Sequence, residues 1–284
     1  MVWLLGSTGF TARYLLPLLK DKGYGVNEDK VDITNAKAVE IAVLRIKPNY
    51  IINLAGISFV PDGGSAEIYA INTFGPENIL NACLKLENKP EKIILASSSH
   101  IYGEQIKEVI DERCLANPIN HYGCSKWAME QMAKNYQGKL DILITRPFNY
   151  TGHGQAGKFL IPKIVQHFKN KEHSISLGNI DIWRDFSDVR WVAEIYMKLM
   201  LLPKKSEIKI TNICSGQLVS IREIISMLEN MTGHKLKIEK NPQFIRASDM
   251  QRQKGSTAIL QKILPSSIPV SEFSATLQWM LESN

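Results

Sequence analysis

Cysteine is scarce in this 284-residue chain. The four, Cys83, Cys114, Cys124 and Cys214, lie 31, 10 and 90 residues apart. None forms a C-x-x-C pair, and the six histidines give no H-E-x-x-H pattern, so neither a disulfide framework nor a metal centre is expected. Reduced thiols in a cytoplasmic protein are the reading. Long apolar runs are also missing: nothing approaches the roughly 20 residues that span a bilayer, which argues against a membrane protein. The opening Met1-Val2-Trp3-Leu4-Leu5-Gly6 lacks the basic segment of a secretory signal. Repeats, low-complexity tracts and linkers are absent. Lysine plus arginine exceed aspartate plus glutamate by 34 to 28, giving +6 and a pI near 9.0. These cations are scattered, without a basic stripe interleaved with aromatics, so nucleic acid is not the expected partner. A mild positive field suits an anionic small molecule.

The composition, 44% hydrophobic and 22% charged, is that of an ordinary globular protein. Short apolar runs at Val2–Leu5, Tyr50–Leu54, Lys92–Ala96 and Leu140–Thr145 alternate with stretches of helical period. Those stretches are Tyr14–Lys20, Ala36–Arg45, Asn78–Leu86 and Ser125–Tyr136. Such alternation predicts an α/β fold with a parallel sheet covered by helices on both faces, because strands buried on both sides read as continuous apolar runs. The last third is less regular. There Ser220-Ile221-Arg222-Glu223 is a capping box and Gly233 a matching C-terminal stop. A shorter helix is expected from Arg190 to Leu202. The C-terminal part is expected to form a smaller lobe over the carboxyl edge of the sheet, where ligands of open α/β sheets bind.

The first expected strand runs into Gly6-Ser7-Thr8-Gly9-Phe10-Thr11-Ala12 and then a helix. Gly6 permits the tight turn, Gly9 lets backbone approach a phosphate, and Ala12 allows close helix–sheet packing. The helix N-terminus then offers free N–H groups to a pyrophosphate, so a dinucleotide is expected here. The acidic residue that would read the ribose is not clear. Glu28 and Asp29 are candidates, the second strand being truncated around Tyr24–Val26, whereas Arg13 would suit a 2′-phosphate. NAD and NADP both stay open.

Tyr122 and Lys126 are four residues apart, so on a helix they share a face. A nearby ammonium favours phenolate and lowers the tyrosine pKa from about 10. Composition alone yields roughly one such pair in a chain with this many tyrosines and lysines, so the pair carries weight only with its neighbours. Those neighbours are the hydroxyls of Ala96-Ser97-Ser98-Ser99-His100-Ile101-Tyr102-Gly103, at the end of an expected strand just ahead of that helix.

Together with Asn53-Leu54-Ala55-Gly56, Asp32-Ile33-Thr34 and Asn72-Thr73-Phe74-Gly75, these motifs resemble the extended short-chain dehydrogenase/reductase family, whose members act on nucleotide sugars. Three further segments resemble its GDP-6-deoxy-4-keto-sugar branch: Arg146-Pro147-Phe148-Asn149-Tyr150-Thr151-Gly152, Arg184-Asp185-Phe186-Ser187-Asp188-Val189 and Asn212-Ile213-Cys214-Ser215-Gly216. The resemblance runs from Val2 to about Leu281. It implies a Rossmann-type doubly wound sheet with a smaller C-terminal substrate-binding lobe. Residues 1–155 would bind the dinucleotide, with 181–204 returning to that domain, and 156–180 and 205–284 would mainly form the substrate lobe.

By the same resemblance, Ser98, Tyr122 and Lys126 are the catalytic triad. Gly6, Thr8, Gly9, Phe10, Asp32, Ile33, Leu54, Ala55 and Gly56 join Tyr122 and Lys126 in holding NADP(H) or NAD(H). Ser99, Asn149, Arg184 and Arg246 meet the sugar nucleotide, where an arginine fork suits a diphosphate. An ion pair with Asp185 or Asp188 is the alternative for Arg184. The implied reaction is hydride transfer to C4 of GDP-4-keto-6-deoxy-D-mannose, giving GDP-D-rhamnose or GDP-6-deoxy-D-talose. A homodimer through Asn78–Leu86 and Tyr122–Tyr136 is implied too.

Three departures stand out. His100 replaces the glutamate of the related 4,6-dehydratases, which removes the group that would take the C5 proton. Leu5 replaces the usual threonine before the first glycine, and the stretch Pro61–Ser65 is short. The alternatives are a 4,6-dehydratase, a UDP-sugar epimerase, or a non-catalytic dinucleotide sensor, which fold alone does not exclude.

Overall fold

The computed structural model describes residues 1–58, 66–203, 209–242, 251–265 and 272–283. The elements of the first half are β1 (Val2–Leu5), α1 (Phe10–Asp21), β2 (Val26–Asn27), α2 (Ala36–Ile46), β3 (Tyr50–Asn53), α3 (Ala66–Tyr69), α4 (Gly75–Lys85), β4 (Lys92–Ala96), β5 (Val109–Ile110), α5 (His121–Ala133) and β6 (Ile142–Pro147). They are followed by β7 (Asn149–Thr151), α6 (Leu160–Lys169), β8 (Ser174–Leu177), β9 (Trp183–Asp188), α7 (Val189–Met200), β10 (Ile210–Ile213), β11 (Leu218–Ser220), α8 (Ile221–Thr232), β12 (Lys237–Lys240), β13 (Arg252–Gly255), α9 (Ala258–Ile263) and α10 (Phe273–Glu282).

Six parallel strands form the large sheet, in the order β10-β6-β4-β3-β1-β2. The strand run Ile210–Ile213, inside the stretch read mainly as substrate lobe, is its edge beside β6. The period of two in a strand explains why both faces are buried. Trp3, Leu5, Ile51, Ile93, Ile142 and Ile144 point into the core under α2, α4 and α5. Their neighbours Val2, Leu4, Ile52, Ile94 and Leu143 point into the opposite core under α1 and α7. Each fully buried side chain of this kind contributes about 1.5–3 kcal/mol. The second strand is as short as the sequence suggested, two residues.

Strand order reverses between β1 and β3, so the crevice of this sheet opens where those two strands end. A second, mixed sheet runs β11-β9-β13-β5, with β7 also pairing β9, and the pair β12-β8 lies apart. The third apolar core gathers Phe168 of α6, Ile224 and Leu228 of α8, and Phe273 and Leu277 of α10. Helix α8 has the capping box formed by Ser220 and Glu223 and ends at Gly233, as its sequence required. No helix among the described residues is long and apolar enough to cross a membrane.

Candidate active site

The turn from β1 to α1 is built around Gly6, whose φ is +74°. A Cβ there would sit 2.7 Å from the Ala55 nitrogen, so the turn and the end of β3 touch backbone to backbone. Gly9 is the N-cap of α1 with no side-chain cap, and the first turn carries no acidic residue. Its leading N–H groups and positive dipole end are therefore available to an anion. A cleft of about 250 Å³ adjoins the turn, lined by Gly6, Ser7, Thr8, Lys30, Asp32, Ile33 and Ala55 among others. Asp32 accepts from the Thr34 nitrogen and hydroxyl at 2.9 and 2.7 Å, which holds its carboxyl below the ordinary range. Phe10 stacks on Tyr150, and the Leu54 nitrogen donates to Leu5 at 3.1 Å, locking the β3 exit. A cradle from which side chains are sterically excluded fits the pyrophosphate and ribose of a dinucleotide.

The candidates for reading the adenosine ribose are differently placed. Glu28 pairs with Lys20 at 2.8 Å, Asp29 lines the cleft while paired with Arg45, and Arg13 lies against Gly154. Lys30 is a cleft-lining cation that the sequence reading passed over.

At the other end of the crevice, Ser98 follows β4 in extended backbone and accepts from the His100 nitrogen at 3.2 Å. Asn120 caps α5 through the Gly123 nitrogen at 2.8 Å, which sets Tyr122 in the first turn. The Ser98 hydroxyl hydrogen-bonds Tyr122, and the His100 ring stands edge-on to the phenol, centroids 5.4 Å apart. Lys126, one turn later, is buried and donates to the Ala96 carbonyl at 2.8 Å. The three expected catalytic residues are thus brought together.

One expectation is reversed. Lys126 was to lower the Tyr122 pKa, yet burial pushes that phenol up to about 12, with Ser98 opposing the rise. The ammonium is spent on Ala96, and burial in turn lowers Lys126 to about 8, with Glu130 opposing. Tyr122 therefore rests as a protonated acid, the state a ketone reduction requires.

Of the residues expected to meet the sugar nucleotide, Asn149 opens β7 and donates to the Asp185 carbonyl at 3.4 Å. Arg184 lies in β9, its Nη1 donating to Trp183 at 2.9 Å. The carboxylates offered as its alternative partners are taken by other donors. Asp185 accepts from the nitrogens of Ser215, Gly216 and Gly255 and from the Ser215 hydroxyl, at 2.6–3.1 Å. Asp188 is gripped by Arg190 and by the Thr276 hydroxyl. Ser99 is buried in the short turn Ser99–Ile101. Arg246 and Pro61–Ser65 lie outside the described residues.

The sequence reading gave no site role to Asn72, quoted only as part of a motif. It sits in a single π-helical turn, Ala70–Phe74, between α3 and α4. Its fully buried amide accepts from the Ile57 nitrogen at 2.9 Å and donates to the Ile57 carbonyl and the Ser125 hydroxyl at 3.0 and 3.1 Å. A Cβ on Gly56 would lie 2.9 Å from Asn72 Oδ1 and 3.1 Å from Lys126 Nζ. Asn72 thus ties the loop after β3 to the helix that carries Tyr122 and Lys126. The motif was visible, but the π-turn that aims it was not.

Comparison with known proteins identifies the family. Residues 29–265 match the family model for GDP-mannose 4,6 dehydratase. The GDP-6-deoxy-D-talose 4-dehydrogenase of Aggregatibacter actinomycetemcomitans is 32% identical over 99% of this chain and 97% of its own. The GDP-6-deoxy-D-mannose reductase of Pseudomonas aeruginosa is 31% identical over 75% of this chain and 73% of its own. The solved structure of RMD from Pseudomonas aeruginosa, complexed with NADPH, superposes with a TM-score of 0.87 at 26% identity, covering 99% of this chain and 97% of that one. The dinucleotide cradle, the Ser98–Tyr122–Lys126 cluster and these matches place the chain in the GDP-mannose 4,6 dehydratase family, as an oxidoreductase of the short-chain dehydrogenase/reductase type.

Proposed function

We propose that this protein reduces C4 of GDP-4-keto-6-deoxy-D-mannose with NADPH or NADH. The product is GDP-6-deoxy-D-talose or GDP-D-rhamnose, and the match over the whole chain to a talose enzyme favours the former. The observation that carries the reading is Tyr122, held protonated by burial and hydrogen-bonded to Ser98, with Lys126 one turn away.

The nicotinamide supplies hydride to the carbonyl carbon when bound. Tyr122 gives its proton to O4 as that oxygen gains negative charge, and Ser98 donates to the same oxygen, so the ketone becomes an alcohol. Lys126, one helical turn from Tyr122, would hold the cofactor ribose with its ammonium. Gly6, Thr8, Gly9 and Phe10 hold the pyrophosphate side, and Asp32, Ile33, Leu54, Ala55 and Gly56 the adenosine side and cleft wall. Asn149, Arg184 and Arg246 hold the sugar nucleotide, Ser99 supporting the turn beside it. A 4,6-dehydratase is disfavoured by His100, which puts an imidazole rather than a carboxylate against Tyr122. The enzyme is proposed to act in the cytoplasm, as a homodimer paired through α4 and α5, where Phe74, just ahead of α4, is exposed.

The test is a turnover assay with GDP-4-keto-6-deoxy-D-mannose and either nicotinamide, followed by absorbance, with the C4 configuration read from NMR couplings. Tyr122→Phe should cut turnover by about 10²–10⁴-fold and still bind cofactor. A wild-type protein that binds NADPH but oxidises neither nicotinamide overturns the reductase reading.

A further inference from the structure

Gln253 of β13 stands opposite Arg184 of β9 in their parallel pairing, so the two side chains leave the same face of the small sheet. Gln253 is 3% exposed, yet its amide nitrogen has no hydrogen-bond partner. Buried amide groups are almost always paired, because an unmet donor in a dry setting forfeits its water without replacement.

The surroundings make that orphan more than a packing fault. Two residues on, Gly255 donates to Asp185 at 3.1 Å and abuts Cys214 and Phe148. A Cβ on Gly255 would lie 2.5 Å from Cys214 Sγ and 3.0 Å from Phe148 Cε2. Phe148 is the immediate neighbour of Asn149, and β7 pairs with β9 through Asn149 and Phe186. Strand β13 therefore runs beside Arg184 at Gln253 and meets the neighbour of Asn149 through Gly255, both Arg184 and Asn149 being assigned above to the sugar nucleotide. A neutral donor at this place adds selectivity without adding charge. A ligand that brought an acceptor oxygen would satisfy it.

We propose that Gln253 is a further substrate-binding residue, its Nε2 donating a hydrogen bond to an oxygen of the sugar nucleotide held beside Arg184, either a phosphoryl oxygen or a sugar hydroxyl. The assignment rests on the nucleotide-sugar reading given above. It has a two-sided consequence, because an orphaned donor weakens the free protein and strengthens the complex. An apolar side chain of similar size does the reverse.

Gln253→Leu and Gln253→Met are compared with wild type for thermal melting without ligand, and by calorimetry for binding of NADPH, GDP and the stable probe GDP-mannose. Both variants should melt above wild type, keep NADPH affinity, and bind GDP-mannose about tenfold more weakly. An equal loss for GDP assigns the acceptor to the diphosphate, and a loss confined to GDP-mannose assigns it to the sugar. Unchanged affinity for both probes overturns the proposal. So does a lower melting temperature in both variants, which would mean that the amide is already satisfied within the protein. If wild type itself binds neither GDP nor GDP-mannose, the nucleotide-sugar reading fails instead.

Discussion

Arg146 grips both carboxylate oxygens of Glu130, at 3.0 and 2.6 Å, with the two side chains 4% and 1% exposed. Nη1 of Arg146 meets the Tyr102 hydroxyl and the Glu112 carbonyl at 3.0 and 3.1 Å. Glu130 lies one turn beyond Lys126, so this fork clamps α5, the helix that carries Tyr122 and Lys126, onto β6.

Removing one partner of a buried pair leaves the other charge uncompensated. Glu130→Ala should lose about 3–5 kcal/mol of stability, read from denaturant unfolding. The double variant Glu130→Leu/Arg146→Met should recover most of that loss. A double variant no more stable than the single one would show that the fork's bonds to Tyr102 and Glu112, not the ion pair, hold the helix.

Lys126 should be a liability in the free enzyme. Its pKa falls from 10.5 to about 8 on folding, so the unfolded chain holds the proton more tightly. The resulting penalty is complete below pH 8 and fades as pH climbs to the unfolded value. Lys126→Met should therefore be more stable than wild type at pH 7, by up to about 3 kcal/mol, and lose that advantage by about pH 10.5. Turnover should collapse at every pH. Equal stability of the two proteins at pH 7 would contradict the assigned burial of the charge.

Gly56 faces Asn72 and Lys126 at distances that a methyl group cannot share. Gly56→Ala should weaken NADPH binding by roughly tenfold or more, equal to 1.4 kcal/mol, when titrated by fluorescence. Gly157→Ala, where a Cβ would meet nothing within 4 Å, is the matched control and should bind normally.

Asp185 accepts four hydrogen bonds that tie β9 to the Ser215–Gly216 turn and to β13. Asp185→Asn presents an NH2 group to donors. It should destabilise by about 1–3 kcal/mol and raise KM for the sugar nucleotide with little change in NADPH affinity. An unaltered KM would confine this residue to folding.

The strands of the large sheet could be read from the sequence because each is buried on both faces, so runs such as Lys92–Ala96 stand out without any partner being known. The helix ends were legible where capping is local, as at Ser220 and Gly233. Ser98, Tyr122 and Lys126 were legible as a motif, but the direction of the Tyr122 shift was not, because it depends on which acceptor Lys126 finds across the fold. Asn72, Gln253 and the Asp185 hub were hidden for the same reason. Their partners lie 15 to 70 residues away or in a neighbouring strand, and no spacing along the chain encodes that.

The turn at Ala70–Phe74 is one residue longer per loop of hydrogen bonding than the helices on either side. Each residue of a regular helix advances about 100° around the axis, so deleting a single residue here would let the chain run straight and swing Asn72 away from Ile57 and Ser125. The deletion would make a better helix and a worse enzyme. Register, rather than side-chain identity, is then the more fragile inheritance of this segment: most single substitutions would leave Asn72 in place, whereas one lost codon would unseat it.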